Sequence, residues 1–341
     1  MKYLSLLLFA FLLFGCPTPP TDEPEGEGFT PFVLSDTIPM YTKRDSLVYD
    51  PRFPASKYLD QLPELFVPRI YTVVRPESYR NWSECLAVNK YLKLLPGDYT
   101  GWGQIKTAVS GTEADPVIIR HADTSEVSAY QLRMTGREAV IEGLKLEGVS
   151  NIIITGVTIR GKGDEKNGVI GGIKSSISNC KNVVIDFCNI ENVTVSAIRM
   201  VNVTGCIVQN CVFQQFDRAL NGDGGAVGVQ ASRGRTSAGN RFVNNEIINF
   251  NDGMGMPRDG NPTGADSDLV GECLGNIFQN NDIYIDSLLY NPDGTACAEN
   301  AMDFKNGTKS NNVNQIIGNR CWGNRPTRPE CSGCHRAMSR A

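Results

Sequence analysis

Four charged residues recur within short strand-like runs of similar composition. They are Lys174 in Gly172-Ile173-Lys174, Arg199 in Ala197-Ile198-Arg199-Met200, and Asp303 and Lys305 in Ala301-Met302-Asp303-Phe304-Lys305; Ala226-Val227-Gly228-Val229 is the uncharged run of the series. Strand alternation turns Ile173, Ile198, Met200, Val227, Val229, Met302 and Phe304 inward, so the charged members project from one outer face. Acidic residues cluster in the neighbouring stretches: Asp223 in NGDGG, Asp252 and Asp259 in NDGMGMPRDG, Asp266 and Asp268 in GADSD, and Glu299. Cations on a wall flanked by carboxylates could line a groove for several sugar units of an acidic chain. A merely solvated outer face accounts for the same charges equally well.

What must position these residues is a nine-residue phrase that occurs six times. NIIITGVTI from Asn151, NVVIDFCNI from Asn182, GCIVQNCVF from Gly205, GNRFVNNEI from Gly239, GNIFQNNDI from Gly275 and VNQIIGNRC from Val313 align without gaps. The fourth place is always apolar (Ile154, Ile185, Val208, Phe242, Phe278, Ile316), and so is the ninth (Ile159, Ile190, Phe213, Ile247, Ile283, Cys321). The seventh place, Val157, Cys188, Cys211, Asn245, Asn281 and Asn319, is small or amide-bearing and reads as the bend between two strands. Successive phrases start 23 to 38 residues apart. The shortest interval suffices for three short strands and three bends at about 3.3 Å per residue, and the excess is loop. β-Branched runs cut by Gly and Asn argue against a helical repeat. The expected fold is all-β, a single-stranded right-handed parallel β-helix whose seventh-place amides stack rung upon rung. On strand spacing alone, Lys174 and Arg199 stand about 5 Å apart on neighbouring rungs, and Lys305 lies about 14 Å beyond Arg199.

The chain opens with Lys2, an apolar run from Leu4 to Phe14, and Gly15-Cys16. That run is too short to span a bilayer as a helix and reads as an export signal. Leu13-Phe14-Gly15-Cys16 resembles a bacterial lipobox, which implies cleavage before Cys16 and a lipid on its thiol. The expected organisation is a signal over residues 1–16, a linker and N-terminal extension over 17–65, an N-terminal cap and first rungs over 66–140, the β-helix over 141–322 and a short tail over 323–341. Within the cap, SYRNWSECLAVNKYLKLL reads as a helix capped by Ser78, with Ala87, Tyr91, Leu94 and Leu95 on one face. Its expected task is to cover the first rung, since a bare solenoid end invites strand addition.

Composition narrows the partners. A formal net charge of −4 with no basic block argues against nucleic acid, and contact with a membrane is expected through the lipid anchor only. A monomer is expected. Of the 11 cysteines, Cys188 and Cys211 share a place on adjacent rungs and read as reduced core residues, whereas Cys273 and Cys297 read as a loop disulfide. His121 reads as structural. Cys331-Ser332-Gly333-Cys334-His335 has the spacing of a c-type haem attachment, but with six residues after it and Met338 too close to reach the opposite haem face, haem is not expected.

The rung pattern, the export signal, the stretch Glu299 to Lys305 and the entry LPGDYTGWGQIKTAVSGTEADPVIIR (Leu95 to Arg120) together resemble the pectin-lyase-like β-helix superfamily, which includes lyases of pectate, alginate and other uronans. The resemblance implies an exported protein of the bacterial cell envelope, at the outer membrane or cell surface, acting on an acidic polysaccharide. In several such lyases a Lys or Arg on an outer strand is the Brønsted base and nearby carboxylates hold calcium. Carried over, Lys305 matches the base and Asp303 an adjacent carboxylate. β-Elimination removes the proton α to a carboxylate, which requires that carboxylate's charge to be neutralised by Ca²⁺ or Arg. Asp223, Asp266, Asp268 and Asp303 are then candidate Ca²⁺ ligands, Arg199 a catalytic or substrate contact, and Lys174 a substrate contact. Two alternatives stay open: a glycoside hydrolase using a carboxylate pair such as Asp266 and Asp268, and a non-catalytic glycan-binding or structural β-helix.

Overall fold

The computed structural model describes residues 68–122, 129–160, 169–170, 180–191, 193, 196–215, 225–256, 271–285, 300–304 and 313–323. Its strands form three long sheets of nine, eight and six strands, paired in parallel throughout. A typical rung contributes one strand to each sheet: Lys181–Asp186, Asn189–Glu191 and Ser196–Val201, for example, are followed by Ile207–Gln209, Val212–Gln214 and Gly225–Gln230. The architecture is a parallel β-helix. The fourth-place column Ile154, Ile185, Val208, Phe242 and Phe278 is fully buried in one continuous core. Phe242 and Phe278 stack with centroids 4.7 Å apart, the interval of one strand.

The left-handed residues that bend the chain stand at the first and sixth places of the phrase, not at the seventh. Asn151, Asn182, Gly205, Gly239 and Gly275 at the first, and Gly156, Phe187, Asn210, Asn244, Asn280 and Gly318 at the sixth, all have positive φ. Gly and Asn tolerate that left-handed region, which is why they recur there. Phe187, at φ 50, is the one bulky exception in the sixth column among the described residues.

Freed from turning, the seventh-place side chains point inward and tie the rungs together. The Sγ of Cys188 donates to the Ile154 carbonyl at 3.7 Å and that of Cys211 to Ile185 at 3.7 Å. The amides of Asn245, Asn281 and Asn319 donate to Val208, Phe242 and Phe278 at 2.9, 2.9 and 2.8 Å. In each case the acceptor is the fourth-place carbonyl of the preceding rung. Laterally, Asn245 Nδ2 donates to Asn281 Oδ1 at 3.0 Å, and Asn281 Nδ2 to Asn319 Oδ1 at 2.8 Å. A second ladder at the second place runs from Asn240 to Asn276 to Asn314 at 2.8 and 2.9 Å.

The N-terminal cap is shorter than the sequence pattern suggests. A helix spans Trp82–Val88, and Asn81 rather than Ser78 caps it, accepting from Glu84 N–H at 3.0 Å. The chain then leaves helical geometry, and Tyr91–Leu94 is a strand paired with Thr72–Val74 and Val117–His121. Alternation decides this, since Leu92 and Leu94 are fully buried while Tyr91 and Lys93 face outward. Trp82, Cys85 and Leu86 bury into the core at this end, with Trp82, Tyr99 and Trp102 in mutual ring contact. His121 is buried, its Nε2 2.8 Å from the Arg137 carbonyl, in keeping with a structural histidine.

Cys188 and Cys211 are buried thiols, as read from their shared place. The disulfide expected between Cys273 and Cys297 is not supported. Cys273 lies in the strand Glu272–Leu274 as a core thiol instead of in a flanking loop, because it is the inward member of that strand; Cys297 lies outside the described residues. Burial pushes the thiols of Cys85, Cys206 and Cys273 up to about 12 from an ordinary 9.0, and Cys211 well above it. The folded chain therefore holds these protons at pH values where the unfolded chain has released them. The associated stability is complete below pH 9.0 and is lost as pH rises toward about 12. The expected slope is about 1.4 kcal/mol per pH unit for each thiol. Urea midpoints measured by circular dichroism at stepped alkaline pH check this; a flat profile above pH 9 would contradict it.

Candidate functional site

The outer face singled out by sequence is the six-stranded sheet, comprising Lys145–Leu146, Val169–Ile170, Ser196–Val201, Gly225–Gln230, Asp252–Met256 and Asn300–Phe304. Pairing in register aligns Ile198, Val227, Met254 and Met302 on the inner side. On the outer side it aligns Lys145, Arg199, Gly228, Gly255 and Asp303 in one column, with the backbone of Val169 in register between Lys145 and Arg199. Arg199 and Asp303 thus stand at the two ends of a three-step interval, about 14 Å long, whose two middle members carry no side chain. The result is a backbone-level strip with a guanidinium at one end and a carboxylate at the other. At the strand starts, two residues before the inward Ile198, Val227, Met254 and Met302 and of the same parity, Ser196, Gly225, Asp252 and Asn300 align in a further row.

Local contacts hold these groups. Arg199 is half-buried, its Nε donating to Gln230 Oε1 at 2.9 Å on the next strand, and burial pushes its pKa down. It remains a cation at neutral pH. Asn300 Nδ2 donates to Asp252 Oδ1 at 3.0 Å. Gly255 is required by the close approach of the last strand, since a Cβ there would lie 2.2 Å from the Asp303 carbonyl oxygen. The same holds at Gly253, 2.3 Å from the Ala301 oxygen.

Of the residues assigned from sequence, Arg199 and Asp303 are brought onto one column. Lys174, Asp223, Asp266, Asp268, Lys305 and Cys16 lie outside the described residues, as do Asp259 and Glu299. Two readings change. The strand beside Arg199 is Val169–Ile170, with Val169 in register, where the sequence reading had set Gly172-Ile173-Lys174. Asp252 heads a strand instead of sitting in a loop, because Met254 and Met256 alternate inward behind it. That D-G-M-G-M alternation was the available signal for Asp252 and its partner Asn300; nothing in the sequence marked Gln230.

For calcium, Asp303 is a hard donor of the right type on the outer column, whereas Asp252 and Asn300 share the parity of the inward residues, and Ca²⁺ takes six to eight oxygens. Among the described residues no group of three or more His, Cys, Asp or Glu could hold a metal. On and beside the eight-stranded sheet several charges pair with one another. Buried Glu191 engages Arg160 and, at 2.6 Å, Arg133; Arg160 also reaches Glu138 at 2.8 Å; Arg320 grips Asp282 through two contacts of 2.5 Å. Such interlocked pairs read as structural. Comparisons with protein-family models, with curated proteins and with solved structures give no match for this chain.

Proposed function

We propose that the protein binds an acidic polysaccharide along the outer face of its six-stranded sheet and cleaves it by β-elimination, as an exported, lipid-anchored member of the pectin-lyase-like superfamily that its sequence resembles. The observation that carries this reading is the column from Arg199 through Gly228 and Gly255 to Asp303. A strip without side chains lets sugar rings lie close to the backbone, and about 14 Å accommodates roughly three sugar units. At that distance Arg199 acts on a different sugar from any group near Asp303. It is therefore a positioning contact that pairs with a uronate carboxylate, and the chemistry belongs to the far end.

There Lys305, the residue after Phe304, is the proposed base. Its neutral amine takes the proton from the carbon α to the uronate carboxylate. A carbon–carbon double bond forms, the glycosidic C–O bond on the β carbon breaks, and the departing oxygen is protonated by water. Asp303, with Asp223, Asp266 and Asp268 from the acidic stretches, would hold a Ca²⁺ whose charge neutralises the scissile sugar's carboxylate.

A panel of uronans incubated with the protein, with and without chelation, and followed by ultraviolet absorbance tests this. One uronan should give unsaturated products. Lys305→Ala should abolish them, while Arg199→Ala should raise KM about tenfold and leave kcat nearly unchanged. Saturated products would establish a hydrolase; binding without cleavage, or neither, would establish a non-catalytic β-helix.

A further inference from the structure

The cations of the outer column do not end at Arg199. Lys145 stands two strands before it, with the backbone of Val169 in register between them. One step further, Ile105 bridges Leu144 in parallel; its N–H donates to the Gly143 carbonyl at 2.8 Å and its carbonyl accepts from Lys145 N–H at 2.9 Å. That register places Lys106, the residue after Ile105, beside Lys145. Ile105 and Leu144 are fully buried while Lys106 and Lys145 are exposed, so both lysines share the outer side with Arg199.

Like charges opposite each other across a strand pair repel. Among the described residues neither lysine gains a counter-charge: Lys106 and Lys145 form no ion pair, and Glu142 and Glu147, the acidic residues nearest Lys145 in sequence, do not pair with it. An anion from outside relieves that repulsion. Along the axis the column runs Lys106, Lys145, Val169, Arg199, Gly228, Gly255, Asp303, which is six strand intervals, about 29 Å in all. Its cations occupy one half, and its glycines and carboxylate the other. None of its members is aromatic, so it offers no ring on which the bases of a single-stranded nucleic acid could stack.

We infer that Lys106 and Lys145 extend the outer face into a cationic track for a run of consecutive uronates, so that the site takes a chain of about six sugars instead of a short one. The inference rests on the reading of this face as a uronan site. Strand spacing sets one sugar against each rung, and the three cations hold the part of the chain remote from Asp303.

Calorimetric titration of the full chain with galacturonate and mannuronate oligomers of three and six sugars, under chelation so that they stay intact, tests this. For one of the two series the hexamer should bind about fivefold tighter than the trimer. The double substitution Lys106→Ala with Lys145→Ala should weaken hexamer binding about fivefold and bring it level with the trimer, since two exposed ion pairs are lost. Lys181→Ala, which removes an exposed lysine from the nine-stranded sheet, should change neither. A hexamer that binds the double variant as tightly as the native chain overturns the track alone. So does an equal loss in Lys181→Ala, which would make net charge the cause, or an oligothymidylate bound as tightly as the hexamer. A native chain that binds no uronan of either length overturns the reading of the face, and the track with it.

Discussion

Asn281→Ala is expected to destabilise the β-helix by about 3–5 kcal/mol, among the largest losses available from one side chain. Asn281 is fully buried and sits mid-ladder. Its Oδ1 accepts from Asn245 N–H at 2.9 Å and Asn245 Nδ2 at 3.0 Å; its Nδ2 donates to the Phe242 carbonyl at 2.9 Å and Asn319 Oδ1 at 2.8 Å. Alanine leaves the Asn245 N–H and the Phe242 carbonyl buried without these partners, and each orphan costs about 1–3 kcal/mol. The space of the lost amide adds a cavity. Urea unfolding followed by circular dichroism measures the loss. A value below about 1 kcal/mol would mean that the ladder is incidental to the stacking of the rungs.

Gly255→Ala is expected to disable the outer face while leaving most of the fold in place. The added methyl would sit 2.2 Å from the carbonyl oxygen of Asp303 and 3.1 Å from its carbonyl carbon, backbone atoms that can yield only if the strand Asn300–Phe304 moves away. Overpacking of this kind costs about 1–3 kcal/mol. The displacement carries Asp303, and with it the proposed reacting end, out of line with Arg199. A shift of about 1 Å at a reacting centre can cost 10²-fold in rate, so uronan cleavage should fall by about that factor. Gly225→Ala is the matched control. Its methyl would lie 3.5 Å from the Asp252 carbonyl oxygen, an ordinary contact, and stability should stay within about 0.5 kcal/mol. If both variants behave alike, the glycine strip is a packing accident and not a constraint on the site.

Several features were legible because they are local. Inward alternation at Ile198, Val227 and Met302, and the apolar fourth place, follow from the two-residue period of a strand, which any rung states for itself. The amide ladder was legible for the same reason, although its bend was placed one residue late. A side chain that turns the chain and one that stacks inside are adjacent in sequence, and only φ separates Asn280 from Asn281. The helix at Trp82–Val88 was legible, but the strand Tyr91–Leu94 was hidden by apolar residues that satisfy both periods until the neighbouring strands are known.

By itself, then, the sequence determined the type of solenoid, the inward columns and the face on which Arg199 and Asp303 emerge, since each depends on which residues tolerate a bend or burial within a single turn. The tertiary structure alone decided that Arg199 is in register with Val169, that Gly228 and Gly255 separate it from Asp303, and that Cys273 faces the core. Those are relations between successive turns, which are joined by loops of variable length. Hydrogen-bond register between strands sets them, and no single stretch of chain encodes it.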